Sequence, residues 1–184
     1  MKKHLFATRS ACILTAILLI LLSSCAPSAD RLLDYQNGEI TALLEGRIGE
    51  LDFSGTLVLS APVDDGENRA AALRLDSPQS LAGMVWSTSP DGRMTATLGE
   101  LEIELLENDQ MVLTRLIEAF SLSGEPDRIS VASGSDEGVR GCEKLTRLDF
   151  SDVTVFLDSE SGLPVKIVSD DLEVIVISFN KEEG

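Results

Sequence analysis

From Phe53 onward, apolar and polar positions alternate with a period of two. Phe53, Gly55, Leu57 and Leu59 fall on one side of an extended chain and Ser54, Thr56 and Val58 on the other. The preceding Ile40 to Ile48 is suited to pair with this strand through Gly49-Glu50-Leu51-Asp52, although Ala42-Leu43-Leu44-Glu45 also tolerates helix. Pro62 to Asn68 is a charged turn. Ala71, Leu73 and Leu75 then alternate with Ala72, Arg74 and Asp76 until Ser77-Pro78 stops the strand. Leu81 to Thr88, carrying Trp86, runs to a Ser89-Pro90-Asp91-Gly92 turn, and Met94, Ala96 and Leu98 resume the alternation. Leu101-Glu102-Ile103-Glu104-Leu105 is its cleanest instance. Short strands punctuated by Gly, Pro and Asp predict an antiparallel meander.

One segment departs from that period. Val112, Leu113, Leu116, Ile117 and Phe120 recur at helical spacing, so Asp109 to Phe120 is expected as the one solid helix, capped by Asn108 or Asp109. One or two helical turns are expected at Asp30 to Tyr35. After the helix, strands are expected at Ile129 to Ala132, Lys144 to Phe150, Val153 to Leu157, Leu163 to Val168 and Leu172 to Phe179. In the last, Val174 to Ile177 is apolar on both sides, the mark of a strand covered on both faces.

The amino terminus is built on another plan. Lys2, Lys3, His4 and Arg9 precede Ala11 to Leu22, an apolar run interrupted only by Thr15. It is shorter than the roughly 20 residues that cross a bilayer. A basic start, a short apolar stretch and small residues before a boundary read as a secretory signal. The boundary, Leu22-Ser23-Ser24-Cys25, resembles the bacterial lipobox, which implies a signal peptide at 1–24, diacylglyceryl modification of Cys25 and cleavage before it. The alternative is an uncleaved anchor with an incidental cysteine. Two acyl chains make an anchor stable where one is marginal. Residues 25–29 would be a tether, 30–184 a single domain, and the location extracytoplasmic on a bacterial membrane.

Charge narrows the partners. Three of the 15 Lys and Arg and none of the 31 acids lie in residues 1–24, so the chain from Cys25 carries a net charge of −19. That disfavours nucleic acid and repels anionic membrane surfaces, leaving the lipid to hold the domain. Beyond Cys25 only Cys142 remains as a thiol, so no internal disulfide is expected. The single histidine, His4, falls in the signal, which removes His-based triads and zinc sites. No cofactor and no enzymatic activity are expected.

Three stretches carry a family likeness: FSGTLVLSAP (53–62), LRLDSPQSLAGMVW (73–86) and TVFLDSESGLPVKI (154–167). The chain resembles the LolA/LolB-type lipoprotein carriers. That resemblance implies a mainly β (α+β) fold: a strongly curved antiparallel sheet, a half-open barrel, with one main helix on the concave side. It implies cargo binding as well, of a lipid or an acylated polypeptide. No functional residue of that family maps onto a named position here.

Met84, Trp86, Met94, Met111, Leu113, Leu116, Ile117 and Phe120 are the candidates to line an apolar concavity, since Met and aromatic side chains adapt to irregular ligands; the competing role is simple core filling. A carrier or sensor is the leading expectation, and a protein-interaction module with a filled core the second. Lesser candidates are Asp64-Asp65-Gly66-Glu67-Asn68 as a cation turn, Ser178 and Lys181 at Ser-x-x-Lys spacing, and the carboxylate pair Glu102 and Glu104. Cys142, between Arg140 and Lys144, could have a lowered thiol pKa, though an inert thiol is expected.

Overall fold

The computed structural model describes residues 32–62, 69–89, 91–105 and 107–182, with only the backbone for 107–112. The chain divides at Leu32 and Leu33, and the architecture below belongs to the part that follows. Cys25, the signal and the tether lie outside the described residues.

Glu39–Ile48 (β1) and Leu51–Leu59 (β2) form the first hairpin, and Ala71–Ser77 (β3), Val85–Thr88 (β4), Met94–Leu98 (β5) and Leu101–Glu104 (β6) continue it. The helix α1, Glu107–Ala119, follows. A second run comprises Arg128–Ser133 (β7), Lys144–Asp149 (β8), Val153–Asp158 (β9), Pro164–Ser169 (β10) and Leu172–Glu182 (β11). All eleven strands form one sheet in the order β6-β5-β4-β3-β2-β1-β11-β10-β9-β8-β7. Its pairings are antiparallel, and β1 with β11 joins the two runs. Among the described residues β6 and β7 do not pair, so the sheet is open.

The expected meander is therefore present, with local differences. Ala42 to Glu45 is strand, because every second residue of β1 is needed for the buried face. The helix runs from Glu107 to Ala119, starting before either expected cap, Asn108 or Asp109. The short helical segment near the start is a 3-10 turn at Asp34–Gln36. The strand expected from Leu81 begins only at Val85, since residues 81–83 turn.

Several features bend this sheet. Registers slip at Leu43/Leu44 on β1, at Ser54/Gly55 on β2 and at Pro164/Lys166 on β10. Such bulges increase local twist and bend a strand. Gly46 and Gly55 sit beside the first two slips, where a Cβ would run into the carbonyl oxygens of Glu173 and Arg74 on the neighbouring strands. Glycine at such close approaches is what lets an antiparallel sheet coil.

The chain's entry into the sheet is fastened from three sides. Buried Arg69 donates from Nε to the Ser60 carbonyl (2.8 Å), from Nη1 to that of Gln36 (3.2 Å) and from Nη2 to that of Gly38 (2.9 Å). Lys181 Nζ donates to the Asp34 carbonyl at 3.0 Å. Tyr35, 3% exposed, meets Phe179 edge-on with ring centroids 6.0 Å apart.

Burial pushes the Tyr35 hydroxyl from about 10 up to about 12. The unfolded chain ionises this group near pH 10, so above that pH the folded state holds more protons. Stability then falls by about 2 to 3 kcal/mol between pH 10 and 12. Tyr35 is the only tyrosine, so tyrosinate absorbance reports it directly. A titration midpoint near 12 is expected, and one near 10 would refute the burial.

Candidate functional site

Register turns the alternation of single strands into rows that cross the sheet. Ala42, Leu57, Leu73, Trp86, Ala96 and Ile103 are successive cross-strand partners from β1 to β6. In the other direction Phe53, Gly46, Val174, Ile167, Val155, Leu148 and Ile129 run from β2 through β1 to β7. Gly46 and Ala42 share a parity on β1, so both rows lie on one face. It is apolar from edge to edge.

That face is covered unevenly. Leu57, Leu73, Val174, Ile167, Val155 and Leu148 are all 0% exposed, while the row ends Ile103 and Ile129 are 50% and 48% exposed. On the same face Leu101 is 64% exposed and Val131 76%. Helix α1 lies on this face, where Thr114 Oγ1 approaches Met94 Sδ at 3.9 Å. Met94 is the partner of Thr88 and shares its side of β5 with Ala96, a member of the first row.

The candidate residues separate into two groups. Leu113, Leu116 and Phe120 are wholly buried and pack as core. Met84, Trp86, Met94 and Ile117 are half-buried. Trp86 Nε1 donates to Met84 Sδ at 3.0 Å, so the indole's polar edge meets a soft thioether. Met111 lies in the helix, and its side chain is outside the described residues. Met84 and Trp86 thus meet at β4 where burial thins toward β6, and Met94 lies on the same face of β5 beside α1.

Two features were not visible as chemistry in the sequence. Beyond α1, a cleft of about 490 Å³ is lined by Arg115, Glu118, Ser121, Phe150 and Val153 among others. Within it the Ser121 hydroxyl is buried without a hydrogen-bond partner among the described residues. The second feature is a small core on the opposite face of the sheet. Val139, Leu145 and Phe156 are buried there, with Cys142, Val165, Val168 and Ile175 packed around them. The loop 134–143 covers this core, and its Gly134 has no room for a side chain, because a Cβ would strike the Cys142 carbonyl oxygen. This cover accounts for Ile175 beside Val174 on β11, whereas Ile177, expected to be covered too, is 51% exposed.

Lys166 holds that loop. Its Nζ donates to the Glu137 carbonyl at 2.9 Å, pairs with Glu173 at 3.1 Å and sits 6.0 Å from the Phe156 ring centroid. Arg147 lies 5.6 Å from the same centroid and bonds Asp149 at 2.7 Å. Burial raises the Asp149 pKa, but hydrogen bonds from Arg147 and Thr154 outweigh it and hold the carboxyl below its usual range. The Cys142 thiol is pushed up by burial and by Asp158, opposite to the lowering that Arg140 and Lys144 could have supplied.

The lesser candidates assemble no chemistry. Ser178 and Lys181 lie on β11, where Lys181 serves Asp34 instead. Asp64 to Asn68 lies outside the described residues. Among those described, no three metal-ligating side chains cluster, and no helix is long and apolar enough to cross a membrane. Glu102 and Glu104 do share a strand face, the one opposite the apolar rows.

No protein-family model matches the chain, and no curated protein does. Several solved structures are similar to it, three of them as follows. One is an uncharacterized conserved protein from Thermus thermophilus, at 14% identity and TM-score 0.49, with 84% of this chain and 85% of that one covered. Another is described as a putative outer membrane lipoprotein-sorting protein domain from Vibrio parahaemolyticus, at 11% identity and TM-score 0.39, covering 83% and 90%. A LolA superfamily protein from Nitrosomonas europaea is similar at 10% identity and TM-score 0.38, covering 86% and 96%. The last is from the superfamily that the sequence stretches resemble.

Replacing Lys166 with Ala removes the charge-assisted bond to Glu137 and exposes the loop's inner side. A loss of about 2 kcal/mol is expected, with faster hydrogen exchange confined to residues 134–143 and their strand neighbours. Unchanged exchange in that loop would show that Lys166 does not hold it.

Proposed function

We propose that this chain is an extracytoplasmic lipoprotein, anchored by acylated Cys25, whose curved sheet takes up an acyl chain of a lipid or of an acylated polypeptide. One observation carries the cargo half of this reading: the apolar rows continue to both open edges of the sheet, where Leu101, Ile103, Ile129 and Val131 are about half or more exposed. Monomeric surfaces seldom keep several large apolar groups together on one face without a use for them. Trp86, Met84 and Met94 supply adaptable walls beside β6. Burying an acyl chain there contributes roughly 25 cal/mol per Å². The bends of the sheet support a concavity, with α1 over part of it. The anchor half rests on the lipobox and the basic, short-apolar signal before it.

A second reading has its own support. Leu113, Leu116 and Phe120 are completely buried, as in a domain whose hollow is filled by its own side chains. The chain would then be a tethered interaction module rather than a carrier.

Extraction of the purified chain with organic solvent separates the two. The cargo reading expects co-purified acyl species approaching one per chain, reduced severalfold in the double variant Leu101→Glu/Ile103→Glu. Clean protein with no bound acyl species supports the filled module. Separately, palmitate labelling and membrane fractionation are expected for the wild type and lost in Cys25→Ala. A label that persists in the variant would contradict the anchor.

A further inference from the structure

We propose that β6 is a docking edge for an extended segment of another protein in which apolar residues alternate with Lys or Arg. The inference rests on the outer edge of the sheet and not on what fills its hollow. The phase of the β5–β6 ladder can be read directly. Leu105 N donates to the Met94 carbonyl at 3.0 Å. Paired residues in an antiparallel ladder alternate between bonded and non-bonded, so Ala96 with Ile103 and Leu98 with Leu101 are also bonded pairs. The N–H and C=O groups of Glu102 and Glu104 therefore point away from β5, toward the free edge.

Those groups are flanked by two distinct surfaces. On the apolar face Leu98, Leu101 and Ile103 are 43%, 64% and 50% exposed. On the opposite face stand Glu102 and Glu104, both exposed and neither in an ion pair among the described residues. Their cross-strand partners Thr97 and Thr95 are neutral. Edge strands are ordinarily blunted by shortness, charge, proline, a bulge or a covering element; β6 is short and carries Glu102 and Glu104, and among the described residues no proline, bulge or cover protects it along Leu101–Glu104. Its two carboxylates, within a chain of net charge −16, repel a second copy of the same edge. They attract a strand with cations opposite them and apolar residues opposite Leu101 and Ile103, since cross-strand pairs of opposite charge and of apolar groups stabilise a ladder. At the other edge, β7 carries Arg128, Ser130 and Ala132 on the corresponding face and lacks this complement.

The test uses the detergent-purified full chain and labelled peptides of about ten residues, a common strand length: one alternating Val with Lys, one alternating Val with Glu, and one with the Val and Lys residues regrouped in blocks. Binding is expected for the alternating Lys peptide alone, weakening with salt. Glu102→Gln/Glu104→Gln should weaken it about tenfold. Glu102→Pro should abolish it, because that N–H faces the edge and its loss leaves the β5–β6 ladder intact. The Gln variant, altered only at exposed positions, keeps the test valid should the proline variant fail to fold. Equal binding of the three peptides, no binding, wild-type affinity in the Gln variant, or self-association through this edge would each overturn the proposal.

Discussion

Eleven strands share one apolar face, and a helix of thirteen residues is the main element laid across it. Such a helix is about 20 Å long, whereas eleven strands laid flat would span about 50 Å. No flat arrangement lets the one cover the other. The structure meets this constraint in part by bending, through register slips on β1, β2 and β10 and glycines where strands approach closely. It meets the rest by thinning: rows that begin with fully buried Leu57 and Val174 end in half-exposed Ile103 and Ile129. The open edges follow from the same shortage of cover.

The opposite face obeys different rules in the two halves of the sheet. Beneath β8 to β11 the loop 134–143 closes over Val139, Leu145 and Phe156 and is fastened by Lys166, which with Arg147 also approaches the Phe156 ring. Beneath β4 to β6 that face carries Ser87, Thr95, Thr97, Glu102 and Glu104 and no comparable loop among the described residues. The chain therefore places its stiffest two-sided packing in the second run of strands and its barest sheet beside β6. Low local burial of this kind favours motion and binding over rigidity.

Much of the fold was legible in the sequence because period-two alternation specifies both a strand and its buried face. Leu73 and Leu75 are core for the reason their spacing suggests. The helix was legible from Leu113, Leu116 and Phe120, although its start was not: Glu107 precedes the side chains that looked like caps. What sequence could not supply was the register. Trp86 and Ile103 are far apart in the chain and become members of one row only through two hairpins. The outer core was signalled by Ile175 beside Val174, yet nothing local announced that Val139 and Cys142 would be its cover. The candidate pocket residues mix wholly buried side chains with half-buried ones because hydrophobicity alone does not say which groups a fold leaves over.

The central claim is that the half-buried end of the apolar face, around Trp86, is open to an acyl chain. Trp86 is the only tryptophan, and bromine quenches indole emission on contact. Titration with a dibrominated long-chain fatty acid should quench Trp86 saturably, while the unbrominated acid competes and does not quench. Emission that stays constant as the brominated acid is added would contradict the account.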